Sequence, residues 1–342
     1  MILCQEDSYQ QNHLAQVLSC QAVSGGFEVV LNASLLFSEA GGQPADQGTV
    51  AGQEVRSLRR LPGPDGAVVH LLDRPLDPGA EVEVQVNWAR RYDHMQQHTA
   101  QHLLTALAHD GWGHKTMAFH LSDRRCDIDL ECAALPVHEL DELEAQANER
   151  IRQALPVTQA WVDPKDMDRI QIRTRGLPEG HQGQVRLVEI LGVDRNTCGG
   201  THVANTAELQ VIKLVGTERI SRGTRLYYLA GQRVTDRLGE VLRREKNLVG
   251  SLTCAASELP DAVDRLRQEV RDLRHTARGT LAELVQTQVA LFVAAPGVAQ
   301  LHRPQPNMEF MRGLATAFHR ACPERWALLT GGESSGVYVI AG

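Results

Sequence analysis

The chain has 342 residues, of which 42% are hydrophobic, and its formal net charge is −7. This length exceeds what one compact core usually holds, so we expect two or three domains. The acidic balance excludes a protein that binds nucleic acid through its overall charge. No apolar run approaches the roughly 20 residues of a bilayer-spanning helix, and the first residues lack a signal-peptide pattern. We therefore expect a cytoplasmic protein without membrane contact.

Residues 1–90 alternate apolar and polar side chains between turns that contain glycine and proline. This alternation predicts strands over residues 26–32, 48–58, 66–72 and 80–87. Several short strands with few helices are typical of a small β-barrel or sandwich. We therefore expect an N-terminal β-barrel domain over residues 1–90.

The hydrophobic period changes after this first domain. Apolar residues at helical spacing predict one helix over residues 90–111 and a second, amphipathic helix over 136–155. Alternation predicts a strand over 119–131 and several strands between 184 and 231. These elements predict an α+β domain over residues 91–235, and the fold class of the whole chain is α+β.

Helical spacing returns after residue 235, and the sequence SELPD at 257–261 predicts a break between two helices. We therefore expect a helical hairpin over 236–284. Apolar residues of the second helix alternate at spacings of four and three, as in a coiled-coil seam. This heptad seam consists of Leu259, Val263, Leu266, Val270, Leu273, Ala277 and Leu284, with Thr280 at one step. It predicts either packing onto the neighbouring domain or a homodimer through the C-terminal helices.

The last segment combines both kinds of element. Its pattern predicts a strand over 289–297, a helix over 307–322 and a strand hairpin over 325–342. The sequence stops directly after a predicted strand. We therefore expect a partial α/β domain over residues 285–342.

Two short stretches, HTAQH at 98–102 and CGGTH at 198–202, carry metal-ligand residues four positions apart. His98 and His102 leave the same face of a predicted helix. Two glycines let the chain turn tightly and bring Cys198 and His202 to one point. Three imidazoles and one thiolate suit a single tetrahedral zinc ion. His94, one turn before His98, is a conceivable substitute ligand, and we expect it to lie beside the site or at the surface.

The remaining cysteines and the arginine clusters have weaker patterns. Seven scattered cysteines in a long chain favour reduced thiols over a disulfide framework, and Cys126 and Cys132 are interpreted as structural. Arginines cluster in residues 56–60, 123–126, 169–175 and 218–225. Each cluster is either a solvated face or part of a surface that contacts a phosphate backbone.

Three stretches of the sequence, two of which carry the metal-ligand residues, resemble motifs of a known family. HTAQHLL (98–104), CGGTHV (198–203) and LFSEAGGQPADQGTV (36–50) resemble motifs of the editing domain of alanyl-tRNA synthetase. The resemblance is good over residues 25–235 and looser to the end of the chain. ATP-binding motifs of an aminoacylation domain are not found. The chain is most similar to the free-standing alanyl-tRNA editing proteins of the AlaX family, in their longer form.

The resemblance implies an ATP-independent hydrolase that maintains translation fidelity. That family cleaves the ester between a wrong amino acid, chiefly serine, and tRNA(Ala). It uses a zinc ion, whose ligands fall on His98, His102, Cys198 and His202. The glycine-rich motif falls on Gly41, Gly42, Gln43, Asp46 and Gly48, with Ala40 where the family usually has a first glycine.

Four residues are candidates for contact with the substrate. An editing site must bind the seryl hydroxyl that alanine lacks. The side chains of Gln43, Thr99, His114 and Thr201 could do so, although each threonine is as well explained by backbone hydrogen bonding. Gly199 and Gly200 could offer N–H groups to a negative tetrahedral intermediate. A ribose hydroxyl of the tRNA is a candidate general base.

Basic residues beside these motifs are candidates for contact with tRNA phosphates. They are Lys115, Arg124, Arg125, Arg219, Arg222 and Arg225.

Other functions remain open from the sequence. Four protein ligands close a zinc shell, which is typical of a structural ion and would fit a tRNA-binding module without catalysis. Paired HxxxH and CxxxH ligands also occur in the editing domain of threonyl-tRNA synthetase, so another charged tRNA is a possible substrate class. A metalloprotease is disfavoured because HTAQH lacks the glutamate that HExxH chemistry uses as general base.

Overall fold

A computed structural model describes residues 2–61, 66–123, 125–170, 172–173, 183–332 and 337–341. The chain divides into two compact units, Met1–Glu240 and Val241–Gly342. The finer division at residues 90, 235 and 284 stays a prediction. Within the described ranges, no helix combines the length and apolar character needed to cross a bilayer.

The first unit begins with a curled antiparallel sheet, to which the described residues contribute seven strands. These are β1 (Asn12–Val23), β2 (Gly26–Leu31), β3 (Gly48–Val50), β4 (Gln53–Glu54), β5 (Ser57–Arg60), β6 (Val68–Leu72) and β7 (Glu81–Val86). Their order across the sheet is β4-β3-β7-β1-β2-β6-β5. Strand β1 lies where no strand is predicted, and three short strands occupy the segment predicted as one strand over 48–58.

Chain connectivity shows why this sheet curls. Strands β4 and β5 lie at opposite edges, yet only Val55 and Arg56 separate them in sequence. The N–H of Val55 donates to Gly48 O in β3, and the N–H of Arg56 donates to Leu71 O in β6. Because the three peptide units from Glu54 to Ser57 span at most about 11 Å, the two edges must lie close together. The enclosed side chains are apolar and include Ala15, Val17, Val29, Leu31, Val82 and Val84.

A long helix, α1 (Trp88–Trp112), follows the sheet directly. It begins where the side chain of Asn87 accepts a hydrogen bond from the N–H of Arg90, and it ends at Gly113 with φ 73°. Its buried face is unusually polar, since His94, Gln96, Gln97, His98, Thr99, Gln101 and His102 are all buried. Buried polar side chains require partners, which points to a site against this helix.

Among the described residues, the first unit also contains two smaller sheets and a second helix. Its further elements are β8 (Thr116–His120), β9 (Cys126–Leu130), α2 (Val137–Arg152), β10 (Val157–Val162), β11 (Val185–Ile190), β12 (Asp194–Thr197), β13 (Ile212–Ile220) and β14 (Gly223–Ala230). The sheets have the orders β10-β11-β12 and β13-β14-β9-β8. Two strands, β8 and β9, replace the single strand predicted over 119–131. Leu103, Leu104, Ile128, Leu226 and Tyr228 belong to the core between α1 and these elements.

A buried ion pair connects the glycine-rich segment to α1. The guanidinium of Arg91 donates to Asp46, and it also donates to Ser8 O at 3.0 Å and Leu35 O at 2.9 Å. Asp46 Oδ2 accepts a further hydrogen bond from the N–H of Phe37 at 2.7 Å. Both charged side chains are fully buried. The pair therefore fixes the position of the segment that follows Phe37.

The second unit is described by itself. Helix α3 (Gln232–Leu252) leads into it, followed by α4 (Leu259–Ala294), β15 (Ala299–Arg303), α5 (Met308–Ala321), β16 (Ala327–Gly331) and β17 (Val337–Ala341). Strand β16 pairs parallel with β15 and antiparallel with β17. The strand predicted over 289–297 is wrong, because α4 continues to Ala294. Val289 and Phe292 pack on α5, where the rings of Phe292 and Phe318 meet at 5.6 Å.

We predict that Arg91→Met lowers the free energy of unfolding by about 3–5 kcal/mol, because it leaves the carboxylate of Asp46 buried without a counter-charge. Urea unfolding monitored by tryptophan fluorescence measures this. Arg59→Met, which removes a partly exposed pair with Glu28, is the control and should change stability little. Equal effects of the two substitutions would contradict the structural role of the buried pair.

Candidate metal centre

Four ligand side chains from two distant segments meet at one point. His98 and His102 lie one turn apart on α1 and are nearly fully buried. Cys198 and His202 flank a Gly-Gly-Thr loop that follows β12. The loop brings them against α1, so that the ligand atoms of all four side chains lie within 4.8 Å of one another.

The donor set and its spacing fit a tetrahedral metal ion. Cys198 Sγ lies 3.5 Å from His98 Nε2 and 3.2 Å from His202 Nε2. Ligand atoms bound to zinc at about 2.0–2.3 Å in a tetrahedron are about 3.3–3.8 Å apart. Little movement would therefore be needed to bind an ion. His94 is not part of this group; its Nε2 lies 3.7 Å from Asp123 Oδ1.

Gln43 determines which nitrogen of His98 carries the proton. Its Oε1 accepts from the backbone N–H of Thr201 at 3.0 Å and lies 2.8 Å from His98 Nδ1, while its Nε2 donates to Thr201 Oγ1 at 2.9 Å. A backbone N–H can only donate, so the amide atom that faces His98 is the oxygen, and His98 Nδ1 carries the proton. The lone pair of His98 Nε2 is left for a metal ion.

The other two imidazoles are oriented in the same way. His102 Nδ1 lies 2.9 Å from Asp194 Oδ2, and His202 Nδ1 lies 3.1 Å from Thr99 Oγ1. Arg173 Nε approaches the other oxygen of Asp194 at 3.3 Å. Every histidine of the cluster therefore has a hydrogen-bond partner at Nδ1, which holds the ring so that Nε2 faces the cluster.

The charges of the cluster suit metal binding. Burial alone would raise the pKa of the Cys198 thiol, but the facing imidazoles of His98, His202 and His102 lower it well below its usual value. Burial lowers the pKa of His202 to about 3. Burial opposes protonation of His102 as well, yet hydrogen bonds to Asp194 and Cys198 raise its pKa to about 10. Because zinc binds thiolate and neutral imidazole, metal binding would release the proton of His102.

The loop between Cys198 and His202 is held from behind by a buried arginine. Arg186 of β11 donates to Cys198 O at 2.9 Å and to Gly200 O at 2.8 Å. A Cβ at Gly200 would lie 2.3 Å from His98 Cε1 and 2.6 Å from Gln43 Oε1. Glycine is therefore required at this position by the close approach of the loop to the ligand side chain.

The cluster forms part of the wall of a cavity of about 1090 Å³. Volumes near this value occur in small-molecule sites, which usually measure about 300–1,000 Å³. The side of the cavity formed by α1 contains Gln101, Thr105, His109 and Asp110 besides the two ligand histidines. The rest of the cavity wall includes Gly41, Lys115, Thr116, Phe119, Arg173 and the stretch 192–200.

The four residues predicted to contact the substrate differ in burial and in their hydrogen-bond partners. Gln43, Thr99 and Thr201 are fully buried and bond to ligand residues or to one another. His114 is not among the described residues that line the cavity; its Nε2 lies 3.0 Å from Glu139 Oε2. Lys115 does line the cavity.

The residues predicted to contact tRNA phosphates differ in exposure and in the partners they already have. Arg124 lies outside the described residues. Arg125 is exposed, and its guanidinium lies 3.7 Å from the ring centroid of Tyr227. Arg219 and Arg222 are also exposed.

Arg225 contacts a second group of candidate ligands. This group consists of His120, Asp127 and Asp129, whose ligand atoms also lie within 4.8 Å of one another. The guanidinium of Arg225 donates to both oxygens of Asp129 at 2.7 and 2.9 Å, and its Nε lies 3.2 Å from Asp127 Oδ1. The bond to Asp129 raises the pKa of Arg225. We interpret this group as an ion-pair cluster, in which the charge of Arg225 is already compensated.

Comparison with known proteins defines the class of the site. Residues 185–227, which include β11 and the Cys198–His202 loop, match the family model of the threonyl and alanyl tRNA synthetase second additional domain. The alanine–tRNA ligase of Methanopyrus kandleri is 30% identical over 83% of this chain, and the alignment covers 32% of the ligase.

Several relatives match nearly the whole chain. The alanyl-tRNA editing protein Aarsd1 of Rattus norvegicus is 37% identical over 99% of this chain and 86% of its own length. The protein of the same name from Danio rerio is also 37% identical, over 99% of this chain and 85% of its own length. The chain therefore belongs to the alanyl-tRNA editing protein family.

Several residues that shape the site had no recognisable sequence signal. Asp194, Arg186 and Gln5 act through hydrogen bonds to ligands or to the loop, and each is distant in sequence from its partner. Gln101 lies between the two histidines of HTAQH, and the helical spacing that revealed them also places Gln101 near their face.

We predict that Asp194→Asn lowers the affinity for Zn²⁺ by about 10–100-fold, because His102 loses the carboxylate that orients it. Competition with a chromophoric chelator measures this affinity. His114→Gln is the control and should leave the affinity unchanged. If both variants bind Zn²⁺ as tightly as the unmodified chain, Asp194 does not support a metal ligand.

Proposed function

We propose that the chain is an aminoacyl-tRNA hydrolase that edits mischarged tRNA(Ala), chiefly Ser-tRNA(Ala), with one zinc ion at the four-ligand cluster. The supporting observation is a metal-ligand cluster in the wall of a large cavity, in a member of the alanyl-tRNA editing protein family. The cavity is large enough for an aminoacyl group and part of a terminal nucleoside. Hydrolysis of an activated ester needs no ATP.

The chain's own residues hold the site in a fixed geometry. Cys198 and the three histidines would hold the ion, which when bound supplies a Lewis acid or a grip on the amino group of the substrate. Gln43 and Thr99 orient two of the imidazoles. Thr201 in turn orients Gln43. We therefore assign Gln43, Thr99 and Thr201 to positioning, and His114 to support of the segment that carries Lys115.

Recognition of serine needs a polar partner for its hydroxyl, because an apolar pocket discriminates poorly between serine and alanine. Gln101 is 4% exposed and lines the cavity. Its Nε2 donates to Thr105 Oγ1 at 2.8 Å, and its Oε1 accepts from none of the groups that the structure describes. We assign hydroxyl recognition to Gln101 and Thr105.

Contact with the tRNA backbone is assigned to basic residues. Lys115 is exposed and lines the cavity, and none of the described residues forms an ion pair with it. Arg125, Arg219 and Arg222 are exposed elsewhere on the first unit. Such contacts position the acceptor end without reading its sequence.

A tRNA-binding module with a structural zinc ion is the second candidate, favoured by the four protein ligands. In that case the loaded protein binds tRNA without cleaving its ester. The match to a domain also found in threonyl-tRNA synthetases keeps another charged tRNA as the third candidate.

We predict that zinc-loaded protein releases serine from Ser-tRNA(Ala) and spares Ala-tRNA(Ala), and that His102→Ala abolishes release because a ligand is lost. Acid-precipitable radiolabel over time measures the reaction. His138→Ala on α2, an exposed histidine outside the cluster, is the control and should retain activity. Circular dichroism confirms the fold of both variants.

Three results would overturn or redirect this proposal. Folded, metal-loaded protein that cleaves neither ester favours the binding module. Cleavage of Ser-tRNA(Thr) in preference to Ser-tRNA(Ala) favours the third candidate. Full activity of His102→Ala contradicts the role of the cluster.

We further propose that α4 pairs with a second copy of the chain. Leu266 and Leu273 of the heptad seam are 48% and 61% exposed. Valine at a positions (Val263, Val270) with leucine at d favours parallel, two-stranded coiled coils. In that arrangement Glu269, at a g position, faces Arg274 of the partner copy at an e position. The charge pattern therefore matches a second copy in parallel register.

We predict that the chain sediments as a dimer and that Glu269→Arg weakens the dimer, because it places like charges opposite each other. The double variant Glu269→Arg, Arg274→Glu restores the attraction and serves as the matched control. Sedimentation equilibrium measures all three proteins. A monomeric parent chain, or a double variant as weak as the single one, would contradict parallel pairing.

A further inference from the structure

The Cys198–Thr201 loop contains one backbone N–H that no described residue binds. The N–H of Cys198 donates to Arg186 O at 3.1 Å, that of Gly200 to Cys198 Sγ at 3.4 Å, and that of Thr201 to Gln43 Oε1 at 3.0 Å. The N–H of Gly199 has no acceptor among the described residues. Gly199 is exposed and lines the cavity.

The carbonyl groups of the loop determine where this N–H points. Cys198 O accepts from Arg186 Nη1 at 2.9 Å, and Gly199 O accepts from Gln5 Nε2 at 2.8 Å. In a planar trans peptide the N–H points opposite to the preceding C=O. The N–H of Gly199 therefore points away from Arg186.

Arg186 adds a fixed electric field behind the loop. It is 4% exposed, and its hydrogen-bond acceptors are the oxygens of Gln5, Cys198, Gly200 and Gln159, all neutral groups. Among the described residues, no carboxylate forms an ion pair with it. A buried cation that is not paired with a carboxylate is costly to desolvate and needs a reason. Here it aligns the 198–199 and 200–201 peptides, with their carbonyls toward the cation and their N–H groups away from it.

We propose that the N–H of Gly199 donates to the oxyanion that develops on the substrate carbonyl, and that Arg186 is the residue that positions it. This inference rests on the proposed ester hydrolysis. Gly200, the other glycine considered from the sequence, is excluded as a donor because its N–H faces Cys198 Sγ.

The step balances without a further reactant. The oxygen of a water molecule attacks the ester carbonyl carbon, and the π electron pair moves to the carbonyl oxygen, which becomes the anion that the N–H of Gly199 binds. Collapse of this tetrahedral intermediate breaks the bond to the ribose oxygen. A proton of the water passes to that oxygen, so the products are the free amino acid and tRNA with its hydroxyl restored.

The direct test removes only the N–H. Replacing the amide nitrogen of Gly199 by an ester oxygen, by incorporation of glycolic acid, leaves every side chain in place. We expect kcat for Ser-tRNA(Ala) to fall about 100-fold, as for other single oxyanion donors, with KM changed less than about threefold. The same replacement at Gly25, in the β1–β2 turn, is the matched control and should leave both constants unchanged.

Arg186 is tested as a positioning residue. Arg186→Lys keeps the charge but cannot reproduce the bonds to both carbonyls, so kcat should fall about 10-fold or more while the Zn²⁺ content stays at one per chain. Arg186→Gln should lower kcat further, since it also removes the field. The split between kcat and KM, with Zn²⁺ content and melting temperature, separates positioning from a loss of fold.

The outcomes separate the inference from the proposed function. If the unmodified protein cleaves no ester, the proposed function fails. If the unmodified protein is active and the Gly199 ester variant keeps its kcat, the inference fails while the function stands. A loss that appears mainly as a raised KM would also overturn it, because it would indicate ground-state binding only.

Discussion

The structure depends on holding four ligand atoms, contributed by segments about a hundred residues apart in sequence, within 4.8 Å of one another. Three imidazoles and a thiol buried together without fixed partners would repel, rotate or protonate in competing ways. Each imidazole is instead held at Nδ1 by a different residue: Gln43 from the glycine-rich segment, Asp194 from β12 and Thr99 from α1 itself. The candidate metal centre is therefore where the glycine-rich segment, β12 and α1 meet.

This constraint explains features that would otherwise be costly. The polar buried face of α1 is required because the helix carries two ligands and several of their supports. The curled sheet delivers Gln43 through a turn in which Gly41 and Gly42 have φ of 55° and 84°, values that glycine adopts without strain. The buried pair of Arg91 and Asp46 ties the same segment to α1. In this unit, part of the favourable free energy of folding offsets the cost of burying a few polar atoms at defined positions.

Local geometry made part of the site predictable from sequence. The i, i+4 spacing of His98 and His102 and the glycines beside Cys198 specify their positions over a few residues, so the cluster was predicted. Asp194 and Arg186 act across long sequence separations, and no local pattern marks them. The strand predicted over 289–297 failed because a short apolar run fits either structure. Val285, Val289 and Phe292 recur at helical spacing and pack on α5. This packing explains why the segment is helical.

The identity of the ligands around a bound ion decides whether His98, His102, Cys198 and His202 form a zinc site. X-ray absorption at the zinc K-edge of the metal-loaded chain measures this directly. We expect one sulfur at about 2.3 Å and nitrogen ligands at about 2.0–2.1 Å, with the sulfur shell lost in Cys198→Ser. A shell made of oxygen alone, or a sulfur signal that persists in Cys198→Ser, would contradict it, because the ion would then lie elsewhere in the chain.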